Sequence, residues 1–237
     1  MASAWIGTSG FDYKEWKPAF YPPELPQKQF LQYYATRLRS VELNNTFYQM
    51  PTQVKIASWS AATPEEFRFA IKAPRKITHQ ERLKIPSDSL DYFVQTVERL
   101  KPRLGALLFQ LPPFFKIDCT RLDAFLGLLP RELPTAFEFR HESWFTDEVF
   151  RLLEEHGTAL CVNDGDDKTT PIRLTSGFTY LRLRRSQYSG ELRAEWEGRI
   201  RQWVRDGIEV YAYIKHEDNP DAPRIALEFA AAVQSSP

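Results

Sequence analysis

Eight short β-prone segments recur along the chain, and amphipathic helical segments separate most of them. The predicted strands cover residues 4–9, 40–44, 67–73, 105–111, 136–141, 159–164, 179–184 and 210–216, and the predicted helices cover 27–38, 89–100, 121–129, 147–157, 195–207 and 222–233. Strand–helix alternation is typical of a parallel sheet, and eight repeats favour a closed TIM-type (β/α)₈ barrel over an open sheet. Between the sixth and seventh strands, GDDKTTPIRLTSG is too broken for a helix, so an irregular connection is expected there.

Length and composition agree with one α/β barrel domain spanning residues 1–237. The 31 basic and 31 acidic residues balance, which removes the overall positive field that a non-specific nucleic-acid binder normally shows. Cys119 and Cys161 are the only cysteines and form no CxxC motif, which argues against a disulfide framework or a structural zinc cluster. The sequence shows no signal-peptide pattern and no long apolar run, so we expect a cytoplasmic protein without a membrane partner.

One face of several predicted strands carries charged residues. In AFEFRH, Phe137 and Phe139 alternate with Glu138 and Arg140, and Lys72 ends a similar face in FRFAIKA. The outer face of a parallel barrel packs against helices and must be apolar, so the polar faces are expected to point inward. The last inward residues of the strands are then Ser9, Asn44, Lys72, Gln110, Arg140, Asp164, Arg184 and Lys215. Because barrel enzymes build their sites at this end, we expect a polar pocket at the carboxyl-terminal mouth.

The inward charges have a second interpretation. Glu42 and Glu138 could offset the inward cations in a hydrogen-bonded network that only closes the barrel centre. Arg68 and Glu42 lie deeper than the other charged residues and are expected to support the site more than to touch a ligand.

The cations expected at the mouth favour an anionic substrate, because their donors match phosphate or carboxylate. The candidate general bases are the carboxylates predicted to point inward, Glu42, Glu138 and Asp164. A neighbouring lysine or His141 is the candidate general acid. We therefore hypothesise an enzyme, a hydrolase, lyase or isomerase, with Glu138, Lys72, Asp164 and His141 as catalytic residues. The candidate substrate-binding residues are Ser9, Glu42, Asn44, Gln110, Arg140, Arg182, Arg184, Lys215 and Trp144.

Two other chemistries are disfavoured. Barrel glycosidases of the commonest retaining type carry a pair of carboxylates at the ends of strands four and seven. In this chain the corresponding strands end in Gln110 and in Arg182 or Arg184. No HxH or HExxH motif supports a metal, and neither a metal nor another cofactor is predicted.

Aromatic residues are concentrated in the segments expected near the mouth: Phe11, Tyr13, Trp16, Phe20, Tyr21, Phe47, Tyr48, Trp144 and Phe145. Most are expected to roof the core, and one or two to stack on a planar ligand. Together with the cations they leave an alternative function open, a non-catalytic binding module for a nucleic-acid end or a phosphorylated ligand.

The runs IGTSG (6–10), FYPPELP (20–26), VELNNTFYQMP (41–51), FRFAIKAPRKITH (67–79), LLFQLPP (107–113), EFRHESWF (138–145) and YIKHED (213–218) resemble the YecE-like family of domains of unknown function. The resemblance extends over nearly the whole chain. It implies a TIM-type barrel with a polar pocket at its carboxyl-terminal mouth, and it implies no settled activity. Many relatives resemble YFNND at the last strand, where this chain has Lys215 and His216, so a role for an asparagine there does not carry over.

Overall fold

The protein is a closed barrel of eight parallel strands in sequence order, and β1 closes the ring by pairing with β8. The computed structural model describes residues 2–215 and 220–234. The strands are β1 (Ala4–Ser9), β2 (Ser40–Leu43), β3 (Arg68–Lys72), β4 (Leu104–Gln110), β5 (Thr135–Glu138), β6 (Ala159–Asp164), β7 (Phe178–Leu183) and β8 (Glu209–Ile214). The TIM-type (β/α)₈ fold expected from the sequence is therefore confirmed.

Helices follow most strands and cover the outside of the barrel. The α-helices of the described residues are α1 (Phe30–Ala35), α2 (Asn45–Tyr48), α3 (Gln53–Ala61), α4 (Asp88–Val97), α5 (Cys119–Leu126), α6 (Asp147–Glu155), α7 (Gly190–Arg205) and α8 (Ala222–Gln234). Short 3₁₀ turns occupy Lys14–Trp16, Gln27–Gln29, Glu98–Leu100 and Glu142–Trp144, and a π-turn occupies Lys76–Gln80. No helix of the described ranges has both the length and the apolar character needed to cross a bilayer.

Hydroxyl and carboxylate side chains fix where five of the helices begin. Thr52, Ser87, Asp118, Thr146 and Ser189 each accept a hydrogen bond from a backbone amide in the first turn of α3 to α7. Such caps satisfy amides that have no partner inside the helix. They place each helix start close to the mouth, where the strands end.

The strand positions agree with the sequence analysis to within a few residues, and two helices were missed. β5 ends at Glu138, three residues before its predicted end, and the predicted end of β8, His216, lies outside the described residues. Neither α2 nor α3 was predicted; α3 buries only Ile56 and Trp59, which gives a weak helical pattern. Residues 165–177 contain no helix, as expected for the connection between β6 and β7.

Two separate apolar clusters show which way the strand residues point. Phe69, Phe109 and Phe137 belong to the large cluster between the strands and the helices. A second cluster fills the barrel interior with Trp5, Ala70, Leu108, Cys161, Phe178, Tyr180, Tyr211 and Tyr213 among its members. The faces of β3, β4 and β5 that carry Lys72, Gln110 and Glu138 are those facing this inner cluster, as the two-residue alternation predicts.

The contact between β1 and β2 has no room for a side chain at Gly7. A Cβ there would overlap the carbonyl oxygen of Ser40 and come within 3.1 Å of Tyr34 Oη. We expect Gly7→Ala to lower the free energy of unfolding by about 2 kcal/mol or more, because the obstructing atom belongs to rigid backbone. Gly198 of α7 is the control, since a Cβ there meets no atom within 4 Å. Gly198→Ala should be neutral or stabilise by up to about 1 kcal/mol. Urea denaturation measures both, and equal stabilities would contradict the close approach.

Candidate functional site

A polar cavity of about 700 Å³ opens at the carboxyl-terminal ends of the strands. The strands and the residues just after them contribute Asn44, Lys72, Gln110, Glu138, Arg140, Asn163, Arg182 and Arg184 to its wall. Helix α2 contributes Asn45, Phe47 and Tyr48, and the segments after β1 and β3 contribute Tyr13, Arg75 and His79. Its size is that of small-molecule sites in general.

At the base of the cavity one arginine is held between two carboxylates. Arg182 on β7 donates from Nη2 to Glu42 Oε1 at 2.8 Å and from Nη1 to Glu138 Oε2 at 2.7 Å. Glu42 lies on β2 and Glu138 on β5, so the interaction spans the barrel interior. All three side chains are buried. Buried charges are tolerated when they are paired and hydrogen-bonded in this way.

Neutral side chains also donate to the two carboxylates. Tyr180 Oη donates to Glu42 Oε2 at 2.8 Å, and Asn44 Nδ2 donates to Glu42 Oε1 at 2.9 Å. Gln110 Nε2 donates to Glu138 Oε1 at 2.8 Å. Both carboxylates therefore accept hydrogen bonds at each of their oxygens.

The ion pairs with Arg182 keep the carboxylates of Glu42 and Glu138 ionised. Burial alone would raise the pKa of Glu42, but Arg182 and then Asn44 outweigh it and lower the pKa to about 2. Burial acts in the same direction on Glu138, and Arg182 and Lys72 outweigh it, so its pKa is also lowered. Burial disfavours the charged form of Arg182, but the two carboxylates hold its pKa well above the usual value.

Lys72 lies in the cavity wall above this network. Its side chain is buried, and its Nζ lies 4.1 Å from the centre of the Phe47 ring. Burial lowers the pKa of Lys72 to about 8, and the charge of Arg182 acts in the same direction, while Glu138 opposes both. Lys72 is thus a group of the cavity that can change protonation near neutral pH.

His79 lines the cavity although it is not among the candidate site residues of the sequence analysis. It lies in the π-turn Lys76–Gln80, with its ring edge-on to Phe47 at 4.9 Å and its Nδ1 2.9 Å from Thr78 Oγ1. Burial lowers its pKa to about 4, and the cations Lys72 and Arg75 add to the shift. His79 is therefore neutral at pH 7. Its only sequence signal was its place after the charged end of β3.

Cations outnumber carboxylates around the cavity. Five of its lining residues are cationic: Lys72, Arg75, Arg140, Arg182 and Arg184. Among the residues that the structure describes, Glu138 in the wall and Glu42 beneath it are the carboxylates of this cluster, fewer than its cations. Arg75 and Arg140 are exposed and make no ion pair with a carboxylate of residues 2–215 or 220–234. Arg75 and Arg140 therefore present their guanidinium groups to solvent at the mouth.

The inward orientation predicted for Asp164 is wrong. Its carboxylate faces the outside of the barrel, where it accepts from Arg185 Nε at 2.8 Å, Trp196 Nε1 at 3.0 Å and Tyr188 Oη at 3.1 Å. Cys161 belongs to the inner cluster, so alternation turns Asn163 into the cavity instead. Both faces of β6 are apolar up to this point, and the pattern alone could not choose between them.

Trp144 and His141 also lie away from the cavity. Trp144 is buried on the outer side of β5, where it stacks on Phe139 at 4.7 Å and donates from Nε1 to the Phe115 carbonyl at 2.6 Å. The substrate-binding position predicted for it is therefore wrong. His141 caps the turn Glu142–Trp144, because its Nδ1 accepts from the Ser143 amide at 3.2 Å. Its imidazole thus has a local structural contact.

Ser9 and Lys215 end their strands close to the predicted places but are outside the lining of the cavity as described. Ser9 pairs with Glu42 in the sheet and is buried, and its hydroxyl has no hydrogen-bond partner among the described residues. Lys215 follows β8, and its amide donates to the Leu183 carbonyl at 2.8 Å.

The aromatic residues near the mouth fall into a buried group and a group that lines the cavity. Trp16 and Tyr21 are buried and stack on each other at 5.9 Å, so they roof the core. Tyr13, Phe47 and Tyr48 line the cavity. Tyr48 is 78% exposed and offers its ring at the mouth.

The fold and the site define a TIM-type barrel with a basic pocket at its carboxyl-terminal mouth. Residues 5–237 match the family model described as "Protein of unknown function DUF72", and the chain belongs to this family. The YecE-like resemblance noted in the sequence is thereby confirmed.

Two curated relatives and one solved structure carry names of the same family. The UPF0759 protein YunF of Bacillus subtilis is 32% identical over 156 residues, 62% of this chain and 54% of YunF. The UPF0759 protein YecE of Escherichia coli K12 is 34% identical over 116 residues, 48% of this chain and 43% of YecE. The chain thus spans about half the length of these curated relatives. The crystal structure of a DUF72 family protein from Thermotoga maritima superposes with a TM-score of 0.80 at 27% identity, covering 98% of this chain and 99% of that one.

The Arg182 network should make stability depend on Glu42. We expect Glu42→Gln to lower the free energy of unfolding at pH 7 by about 3 kcal/mol, because it removes one partner of a buried ion pair. The folded-state pKa of Glu42, about 2, lies below the ordinary value of 4.5. Its charge therefore stabilises the fold above about pH 4.5, and this contribution is lost as the pH falls toward 2.

Urea denaturation at pH 7, 5 and 3 tests this dependence. The gap between the wild type and Glu42→Gln should be full at pH 7 and 5 and smaller at pH 3. Glu154 is the matched control, because it pairs with Arg173 on the surface at 3.2 Å. Glu154→Gln should cost less than about 1 kcal/mol. Equal costs for the two variants would contradict the role given to the buried network.

Proposed function

We propose that the barrel mouth binds a small compound bearing a phosphate or carboxylate group, and that Lys72, oriented by the charge of Glu138, acts on it by acid–base chemistry. The observation that carries the proposal is the unpaired state of Arg75 and Arg140, which line the cavity without an ion pair to a described carboxylate. Bringing like charges together is unfavourable unless an anion offsets them, and guanidinium groups match the oxygens of phosphate and carboxylate.

The acid–base roles follow from the protonation states. Lys72, with a pKa of about 8, is protonated in most molecules at pH 7 and can give or take a proton at small cost. Glu138 is ionised and accepts from Arg182 and Gln110, so its role is to hold charge and orientation beside Lys72. Asp164 and His141 have no part in the proposal, since their side chains make other contacts.

A second candidate is binding without turnover, to a nucleic-acid end or a phosphorylated ligand. It is favoured by the state of the carboxylates: Glu42, Glu138 and Asp164 each accept from an arginine, so none is an unpaired general base. Tyr48 would supply the stacking surface that such a ligand uses. Both candidate functions place the anion at the rim of the cavity, beside Arg75 and Arg140. We also propose a cytoplasmic location, which the unpaired Cys119 and Cys161 support.

Inorganic phosphate tests the anion site directly. At 10 mM phosphate, a site with a Kd of about 1 mM would stabilise the fold by roughly 1.4 kcal/mol and raise the Tm by about 3–5 °C. We expect this shift in the wild type, measured against sodium chloride of equal ionic strength. Arg140→Ala should reduce the shift by more than half, because it removes an unpaired guanidinium from the rim.

Arg131 provides the control. It is exposed in the turn before β5, at the opposite end of the barrel, so Arg131→Ala should leave the phosphate shift unchanged. A rise in Tm with phosphate no larger than that with chloride would contradict the anion site. An equal loss in both variants would show that only general surface charge is at work.

A further inference from the structure

Lys72 is a buried lysine whose amino group has no polar partner in the described part of the chain. The residue is 8% exposed. No carboxylate oxygen of that part lies within 4.0 Å of its Nζ, and the contact given for the Nζ is the Phe47 ring at 4.1 Å. Lysine is rarely buried without a paired charge, because its ammonium group loses hydration. A structural role would require a nearby partner, and none is present among those residues.

The carboxylates that could have paired with Lys72 are already engaged. Glu42 and Glu138 both accept from Arg182, and Gln110 takes another oxygen of Glu138. The same Arg182 repels a charge on Lys72. Desolvation and a neighbouring cation are the two devices that turn a lysine into a neutral nucleophile. The amino group also borders the 700 Å³ cavity, where a substrate atom could reach it.

We propose that Lys72 forms an imine with the aldehyde or ketone carbonyl of a substrate whose phosphate or carboxylate group is held by the cations of the rim. This inference rests on the proposed anion site and names its substrate class, a carbonyl compound with a small anionic group. Arg75 and Arg140 supply charge at the rim, and Lys72 supplies the nucleophile deeper in the cavity. The bound anion thus orients the carbonyl toward the lysine.

The step balances without a further reactant. The lone pair of the neutral Lys72 Nζ attacks the carbonyl carbon, and the carbon–oxygen π pair moves to oxygen. One proton passes from nitrogen to that oxygen and gives a carbinolamine. A second N–H proton then leaves with the hydroxyl group as water, and the nitrogen lone pair forms the carbon–nitrogen double bond. Amine and carbonyl compound become imine and water, with no oxidation or reduction.

Pyridoxal 5′-phosphate is the probe, because it joins an aldehyde to a phosphate and its imines absorb visible light. The 237-residue protein is incubated with it briefly at pH 8, reduced with sodium borohydride, digested and mapped by mass spectrometry. At this pH about half of a lysine with a pKa of about 8 is neutral, against well under 1% of an ordinary lysine. We expect on the order of tenfold more adduct at Lys72 than at Lys55.

Lys55 is the matched control, since its Nζ also lies over an aromatic ring, 5.9 Å from that of Trp59, but the residue is exposed. Labelling of Lys72 should rise with pH through about 8, and inorganic phosphate should reduce it several-fold. Lys72→Arg, which keeps the charge and cannot form an imine, should lose the dominant adduct and keep the phosphate-induced rise in Tm. Lys55→Arg should lose neither. Mapping on the wild type keeps the test decisive even if Lys72→Arg folds poorly.

The outcomes separate the two proposals. If phosphate stabilises the protein and Lys72 carries no more adduct than Lys55, the imine is overturned and the anion site stands. If Lys72 is labelled selectively while phosphate neither stabilises nor protects, the reactive lysine stands and the anion site fails.

Discussion

The ion pairs of Arg182 with Glu42 and Glu138 determine which charges are available in the cavity above them. A guanidinium group has donors in a fixed plane, and here two of its nitrogens reach carboxylates on two other strands. Three strands that are distant in sequence thus share one charged centre in the barrel interior. Since both carboxylates are occupied, their negative charge stabilises Arg182 and is not available as a close partner for Lys72. The chemistry of the cavity therefore depends on where this one arginine directs its hydrogen bonds.

The inner apolar cluster restricts the polar site to one end of the barrel. Trp5, Phe178 and Tyr211 fill the amino-terminal part of the interior, where the Arg68 guanidinium covers the Trp5 ring at 4.8 Å. Bulky aromatic side chains fill the interior there, so the polar cavity lies at the opposite end. This explains why the polar residues at the carboxyl ends of the strands converge on a cavity and do not form a channel.

Much of this arrangement could be predicted from the sequence, where one face of a strand was clearly polar. Glu138 and Lys72 alternate with large apolar residues, so the requirement for an apolar outer face fixes their direction. The direction of Asp164 was predicted wrongly because β6 is apolar on both faces, so its pattern does not show which face points inward. Arg75 and His79 lie in an irregular segment after β3, where no hydrophobic periodicity indicates the direction of the side chains. Trp144 was misplaced because an aromatic residue after a strand can turn to either side of the barrel wall.

The outward Asp164 has a consequence for how this side of the barrel is covered. Residues 165–177 contain no helix, and the Asp164 carboxylate joins β6 to Arg185 and Tyr188 before α7 and to Trp196 within α7. Elsewhere the strands are covered by apolar helix faces, whose attraction has no preferred direction and tolerates small displacements. Hydrogen bonds are directional, so the contacts of Asp164 fix the orientation of this cover over β6 as well as its position.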